Sequence, residues 1–86
     1  MILAFHTRIK KQYKKLSSDD REKFNERMAL FEKYPFNQVF RNHALKGKYL
    51  GYRSIDITGN LRAIYQPLGS NTAYFVYLGT HSNLYK

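Results

Sequence analysis

The chain has 86 residues, no cysteine and a formal net charge of +9 at pH 7. A chain of this length has room for one hydrophobic core, so residues 1–86 are interpreted as a single domain. The lack of cysteine excludes disulfides, thiolate metal sites and a cysteine nucleophile. No apolar run approaches the ~20 residues that a membrane span needs, and no signal-peptide pattern is present, so we expect a soluble, cytoplasmic protein.

The positive charge is concentrated at the two ends of the sequence. Residues 1–16 contain no acid and five basic side chains, which are Arg8, Lys10, Lys11, Lys14 and Lys15. Residues 17–33 are close to neutral, and residues 34–86 carry six basic side chains against one acid, Asp56. Such clustering favours a polyanionic partner, either nucleic acid or an acidic protein, because docking on phosphate releases condensed counterions. The alternative is a solvated surface that only keeps the protein soluble.

The first 35 residues predict a strand and two helices. The apolar run at residues 2–5 is interpreted as a buried strand. From Thr7 to Leu16, apolar side chains recur at helical spacing and the basic residues occupy the remaining surface. Residues 17–20 offer an N-cap and early acids for a second helix. This helix should end before Pro35, because a residue that precedes proline avoids helical geometry.

The remainder of the chain predicts strands. Residues 36–50 are interpreted as a loop that leads into a strand at 51–58, where Ile55 and Ile57 alternate with Ser54 and Asp56. A turn at residues 59–60 precedes a strand at 61–68, and residues 72–78 are apolar on both faces, as in a central strand covered on both sides. The predicted class is α+β, in the order β-α-α-β-β-β, with a helical hairpin on one face of a largely antiparallel sheet.

The polar residues of the second half suit RNA cleavage. Attack of a 2′-hydroxyl on the adjacent phosphate needs a base, an acid and cations, and histidine can fill either proton-transfer role. Arginine suits phosphate oxygens, and aromatic rings stack on exposed bases. The candidates are His43, Lys46, Lys48, Arg53, Arg62, His81 and Tyr85. The histidine spacing matches no metal-ligand motif, so neither a metal nor a cofactor is expected.

Each candidate also has a purely structural interpretation. A single histidine is more often structural or simply exposed, and His43 could be a loop residue that hydrogen-bonds the backbone. Arg53 and Arg62 could be strand arginines whose stems cover apolar neighbours. His6, beside the first strand, is assigned a structural role.

Three blocks of the second half together resemble one known family. They are residues 43–53 (His-Ala-Leu-Lys-Gly, then Gly-Tyr-Arg), residues 61–65 (Leu-Arg-Ala-Ile-Tyr) and residues 79–85 (Gly-Thr-His-Ser-Asn-Leu-Tyr). Their order and spacing are similar to those of the YafQ branch of the RelE/ParE toxin superfamily. The first half matches only in pattern, as a strand followed by a basic helical hairpin.

The resemblance implies a type II toxin that binds the ribosomal A site, cuts translated mRNA and is neutralised by a cognate antitoxin. It implies that His81 is a general acid or base, that His43 is a second active-site histidine, and that Tyr85 lies near the cleaved nucleotide. Arg53 would contact phosphate. Further RNA contacts are expected from Arg62, Lys46, Lys48 and Asn60. Contacts with 16S ribosomal RNA are expected from Arg8, Lys10, Lys11, Lys14 and Lys15.

Three positions depart from the family pattern. YafQ has a histidine where this chain has Asp56, an aspartate where it has Asn60, and a tryptophan where it has Leu61. Asp56 could accept a proton or orient His43, whereas Asn60 cannot act as a base. The alternative is that the two histidines suffice with arginines as electrostatic support, so the general base remains open.

Two other functions remain possible from the sequence. One is a ParE-like gyrase inhibitor, which needs neither the histidine pair nor the Gly-Thr-His-Ser segment. The other is a non-catalytic RNA- or ribosome-binding module that uses only the basic surface.

Overall fold

The computed structural model describes the backbone of residues 1–84 and the side chains of residues 1–83. The strands are β1 (Ile2–Phe5), β2 (His43–Ala44), β3 (Arg53–Asp56), β4 (Leu61–Leu68) and β5 (Thr72–Thr80). The helices are α1 (Thr7–Lys14), α2 (Ser18–Lys33) and α3 (His81–Leu84), and short 3-10 turns occupy Gln38–Phe40 and Gly47–Tyr49. Within this part of the chain the sheet order is β1-β5-β4-β3-β2, parallel between β1 and β5 and antiparallel elsewhere. The predicted α+β class is confirmed.

Local capping explains where the two long helices begin and end. The Ser17 hydroxyl accepts a hydrogen bond from the Asp20 amide at 3.1 Å, which satisfies an unpaired donor of the first turn of α2. Helix α2 ends before Tyr34, the residue that precedes proline. At α1, the cap is His6, whose Nδ1 accepts from the Arg8 amide at 3.0 Å. The structural role predicted for His6 is therefore confirmed.

The main core lies between the helices and one face of the sheet. Phe31 of α2 is fully buried and packs edge-on against three rings, with centroid distances of 5.5 Å to Phe40, 5.2 Å to Tyr65 and 5.3 Å to Phe75. Ile55, Ala63 and Leu78 join the same cluster from the three central strands, β3, β4 and β5. We call this the covered face, and the opposite side of the sheet the open face.

Two expectations about burial are wrong. Strand β1 is not buried, because it pairs only with β5 at the sheet edge, and Ile2 and Phe5 remain 59% and 45% exposed. Strand β5 is not covered on both sides. Its residues Ala73, Phe75 and Leu78 are buried on the covered face, but Tyr74 and Tyr77 on the open face are only partly buried. An apolar run does not reveal whether a second layer lies above it.

The predicted order β-α-α-β-β-β lacks two short elements. Residues 36–50 contain β2, a two-residue strand that pairs with β3 and makes it an inner strand. Residues 81–84 form α3 directly after β5. Neither element is long enough to give a periodic pattern. None of the helices in residues 1–84 is long and apolar enough to cross a membrane.

Candidate active site

A cavity of about 230 Å³ opens at one end of the open face, and five polar side chains line it. They are Arg41, His43, Asp56, Arg62 and His81. The fold thus brings together four predicted site residues from separate segments of the sequence. Arg41 is the addition, and this cavity is the candidate for a catalytic site, called the catalytic pocket below.

The strand register explains why these side chains meet. Asp56 on β3 pairs with Arg62 on β4, and Arg62 pairs with Gly79 on β5, so all three lie in one row across the sheet. Alternation places this row on the open face, because Ile55 and Ala63 face the core. His81 follows two residues after Gly79, where the strand gives way to α3.

The floor of the catalytic pocket is an ion pair between Asp56 and Arg62. Arg62 Nε lies 2.8 Å from Asp56 Oδ1, and their side chains are 9% and 13% exposed. Arg62 also donates to the Thr58 carbonyl at 2.9 Å. The Arg62 guanidinium is therefore engaged by the protein, so its contribution to phosphate binding is its field rather than a free hydrogen-bonding fork.

Arg41 supplies the exposed cation of the catalytic pocket. Its Nε lies 2.5 Å from Asp56 Oδ2, while 71% of its side chain remains exposed. Both carboxylate oxygens of Asp56 are thus occupied by guanidinium groups, one below and one at the rim. Two guanidinium charges against one carboxylate leave the pocket positive, as a phosphate requires.

A hydrogen bond assigns the tautomer of His43. His43 Nδ1 lies 2.9 Å from the Arg41 carbonyl oxygen. A carbonyl oxygen can only accept, so Nδ1 carries the proton and the neutral ring has its lone pair on Nε2. His6 has the opposite arrangement, since its Nδ1 accepts from the Arg8 amide. His43 therefore does hydrogen-bond the backbone, which was one of the two interpretations of this residue. That bond leaves Nε2 as the proton acceptor.

His81 is held at the rim by the turn between β3 and β4. Its amide donates to the Asn60 carbonyl at 3.0 Å, and its side chain is exposed. The Thr80 hydroxyl accepts from the Asn83 amide at 3.3 Å and so stabilises the turn that follows. Asn60, predicted to contact RNA, contributes to this arrangement through its backbone carbonyl.

Arg53 does not line the catalytic pocket. It lies on β3 one position before Ser54, on the opposite side of the strand from Asp56. Its Nε donates to Asn42 Oδ1 at 2.7 Å, and its guanidinium carbon lies 5.4 Å from the centre of the Phe36 ring. These contacts favour a structural role over the predicted contact with the cleaved phosphate.

The other predicted RNA-binding residues lie apart from the pocket. Lys46 is exposed, and Lys48 Nζ lies 5.3 Å above the Tyr49 ring. The basic residues expected to meet ribosomal RNA are all exposed, namely Arg8, Lys10, Lys11, Lys14 and Lys15. Tyr85 lies outside the described residues. Among the residues that are described, no group of histidine, aspartate or glutamate side chains could hold a metal ion.

The fold is that of a class of small microbial toxins. A YoeB/ParE toxin from Agrobacterium tumefaciens is 24% identical with a TM-score of 0.73, over 94% of this chain and 99% of that chain. YafQ from E. coli strain BL21(DE3) is 19% identical with a TM-score of 0.69, over 98% and 97%. The archaeal RelE–RelB complex from Pyrococcus horikoshii OT3 contains a chain that is 18% identical with a TM-score of 0.74, over 92% of each chain.

The family model for YafQ, a bacterial toxin of type II toxin–antitoxin systems, matches residues 1–86. The chain therefore belongs to the YafQ toxin family. No curated protein matches the sequence significantly.

Proposed function

We propose that this toxin stops translation by cutting messenger RNA in the ribosomal A site, in a metal-independent reaction. The observation that carries the proposal is the catalytic pocket, in which two histidines and an exposed arginine surround the largely buried ion pair of Asp56 and Arg62. A gyrase inhibitor that acts by binding alone has no need for this arrangement.

The proposed reaction is an internal transfer at one phosphate. The base takes the proton of the 2′-hydroxyl as its oxygen bonds to phosphorus. The bond from phosphorus to the 5′-oxygen breaks, and the acid gives that oxygen a proton. The products are a 2′,3′-cyclic phosphate and a free 5′-hydroxyl. Negative charge builds on the phosphate oxygens in the transition state, so a fixed cation accelerates the step.

The geometry favours a particular assignment of these roles. His43 has its lone pair on Nε2 and acts as the base, and His81 acts as the acid. Arg41 contacts the phosphate. Asp56 acts as a positioning residue, because both of its oxygens already hold guanidinium groups. For Tyr85, the role near the cleaved nucleotide rests on the family resemblance.

Ribosome dependence follows from how few proton-transfer groups the pocket holds. Substrate positioning by 16S ribosomal RNA would supply the alignment that the chain itself lacks. The exposed basic side chains of α1 provide a surface for that contact. The similar archaeal RelE chain was solved in complex with RelB. By analogy, this chain would bind a cognate antitoxin, whose acidic residues would cover the basic surface.

The test is primer extension on a message translated by purified ribosomes. The wild type should cut within codons in the A site, and His81→Ala should reduce the cleavage rate by at least ~100-fold, the lower range for loss of acid–base catalysis. His43→Asn keeps a donor near the Arg41 carbonyl and should show a similar loss. Lys33→Ala, which removes an exposed side chain at the end of α2, is the control and should cleave normally.

Other outcomes would point elsewhere. Intact messages together with DNA damage would identify a gyrase poison. Ribosome binding without cleavage would identify a non-catalytic module, and efficient cleavage of naked RNA would contradict ribosome dependence.

A further inference from the structure

A second concave surface lies on the open face, and none of the catalytic roles above uses it. It is a groove of about 430 Å³ with four tyrosines in its lining and no acidic residue. We call it the tyrosine groove, and its rings and cations are Tyr49, Tyr52, Tyr74, Tyr77, Arg8 and Lys48. A groove with partly exposed aromatic rings, positive side chains and no carboxylate suits an anionic ligand with flat apolar parts.

Two glycines shape one wall of the tyrosine groove. Gly47 and Gly51 have φ angles of 64° and 94°, in the left-handed region that other residues rarely adopt. They bracket a tight turn that returns the chain to the sheet. Tyr49 and Tyr52 are thereby packed against the buried cluster of Leu45 and Ile64. The wall is therefore a built feature of the fold.

Tyr77 extends from the tyrosine groove toward the row of residues that contains Arg62. A Cβ placed on Gly79 would lie 2.8 Å from Tyr77 Cε1 and 3.0 Å from Tyr77 Oη, so the ring extends across Gly79. Gly79 pairs with Arg62, which forms the pocket floor. On β4, Ile64 of the groove is two residues from Arg62, about 7 Å along the strand. A ligand strand over the pocket can therefore continue into the groove within one nucleotide.

Single-stranded RNA fits this surface better than an acidic peptide does. Bases stack on aromatic faces, and the connecting phosphates meet lysine or arginine. Lys48 Nζ lies 5.3 Å above the Tyr49 ring, so a cation and a stacking surface are already combined there. An acidic peptide would pair with Arg8 and Lys48 but would leave the four tyrosine rings without stacking partners.

We propose that the tyrosine groove binds the base of a nucleotide adjacent to the cleaved bond, with Tyr77 as its nearest stacking surface and Lys48 beside its phosphate. The proposal rests on the proposed function and adds a base-binding subsite to it. It gives a role to a tyrosine that none of the sequence motifs singled out.

The test combines protein and substrate changes in the ribosome assay. Tyr77→Leu should reduce kcat/KM by about 5- to 150-fold, which corresponds to ~1–3 kcal/mol per stacked base. Tyr77→Phe keeps the ring and should stay within about twofold of wild type. An abasic nucleotide is placed in turn on each side of the cleaved bond. At one of the two positions it should reduce cleavage by the wild type by a similar factor. At that position it should not reduce cleavage by Tyr77→Leu any further, because the two changes remove the same interaction. Tyr34→Leu, at an exposed tyrosine after α2, is the matched control.

The outcomes separate the subsite from the proposed function. The subsite alone would be overturned by the following result. The wild type cleaves and His81→Ala does not, but the abasic nucleotide and Tyr77→Leu reduce the cleavage rate independently, so that their factors multiply. No cleavage by the wild type would overturn both proposals. Normal cleavage by Tyr77→Leu with weakened binding of an acidic antitoxin would assign the groove to a protein partner. If Tyr77→Leu melts early, Tyr52→Leu with the same substrates replaces it, and coupling is again the expected result.

Discussion

The covered and open faces of the sheet are made from alternate residues of the same strands, yet different forces hold them together. On the covered face, Phe31 and its neighbouring rings exclude water. On the open face, one end is an ion-paired pocket and the other is a groove of partly exposed tyrosines. The difference separates stability from activity. Changes on the covered face should act on folding, and changes on the open face should act on cleavage, except where a charge is buried.

The largest effect on folding is expected from the covered face. Phe31→Ala should lower the free energy of unfolding by ~3–5 kcal/mol, because a fully buried ring leaves a cavity among three other rings. Native domains are stable by only ~5–15 kcal/mol, so the variant should be close to unfolding. Urea denaturation measures the loss. Leu50→Ala, at a side chain that is 77% exposed, is the control and should change stability by less than ~0.5 kcal/mol.

A smaller or equal loss of free energy of unfolding is expected at the largely buried ion pair of the open face. Asp56→Ala leaves the Arg62 guanidinium buried without its carboxylate, which should destabilise the fold by ~3–5 kcal/mol as well as abolish cleavage. The matched control is Glu26→Ala, which removes an exposed ion pair with Lys23 at 3.7 Å and should change stability by less than ~0.5 kcal/mol. Equal small losses in the two variants would show that the pocket floor is not a structural ion pair.

The smallest effect is expected at the boundary between the pocket and the groove. Gly79→Ala should destabilise the fold by about 1 kcal/mol or less, because the added methyl meets only the far end of the Tyr77 side chain, which is partly exposed and can shift. Thermal unfolding of Gly79→Ala in the wild-type and Tyr77→Leu backgrounds measures the coupling. The penalty should largely disappear in the second background, and a penalty that persists there would mean that the glycine is required for another reason.

Periodicity and capping predicted most of the fold. Helices α1 and α2 follow from apolar spacing, the Ser17 cap and the stop at Tyr34, all of which are local signals. What the sequence could not show is which strands lie at an edge and how much of each face is covered. The two-residue β2 is defined only by its pairing with β3, and this partner is distant in sequence.

The pocket was predictable only through positions of the family pattern, including Asp56, where this chain departs from that pattern. His43 and His81 line the same pocket, and their joint position depends on the register of β2, β3, β4 and β5. Arg41 gave no signal, because its approach to Asp56 depends on a backbone turn and not on spacing. Arg53 lies on the other side of β3 and donates to Asn42 Oδ1. The sequence around Arg53 gives no sign of this contact.

The backbone of Arg41 has a consequence for how this site is maintained. Arg41 has φ 44° and ψ 46°, a left-handed conformation that disfavours a residue with a side chain by roughly 1–2 kcal/mol. Its ion pair with Asp56 is largely exposed at the arginine end and returns only part of that energy. Glycine at this position would relieve the backbone strain but would also remove the exposed cation at the rim of the pocket. A relaxed backbone and a positively charged rim are therefore mutually exclusive at residue 41.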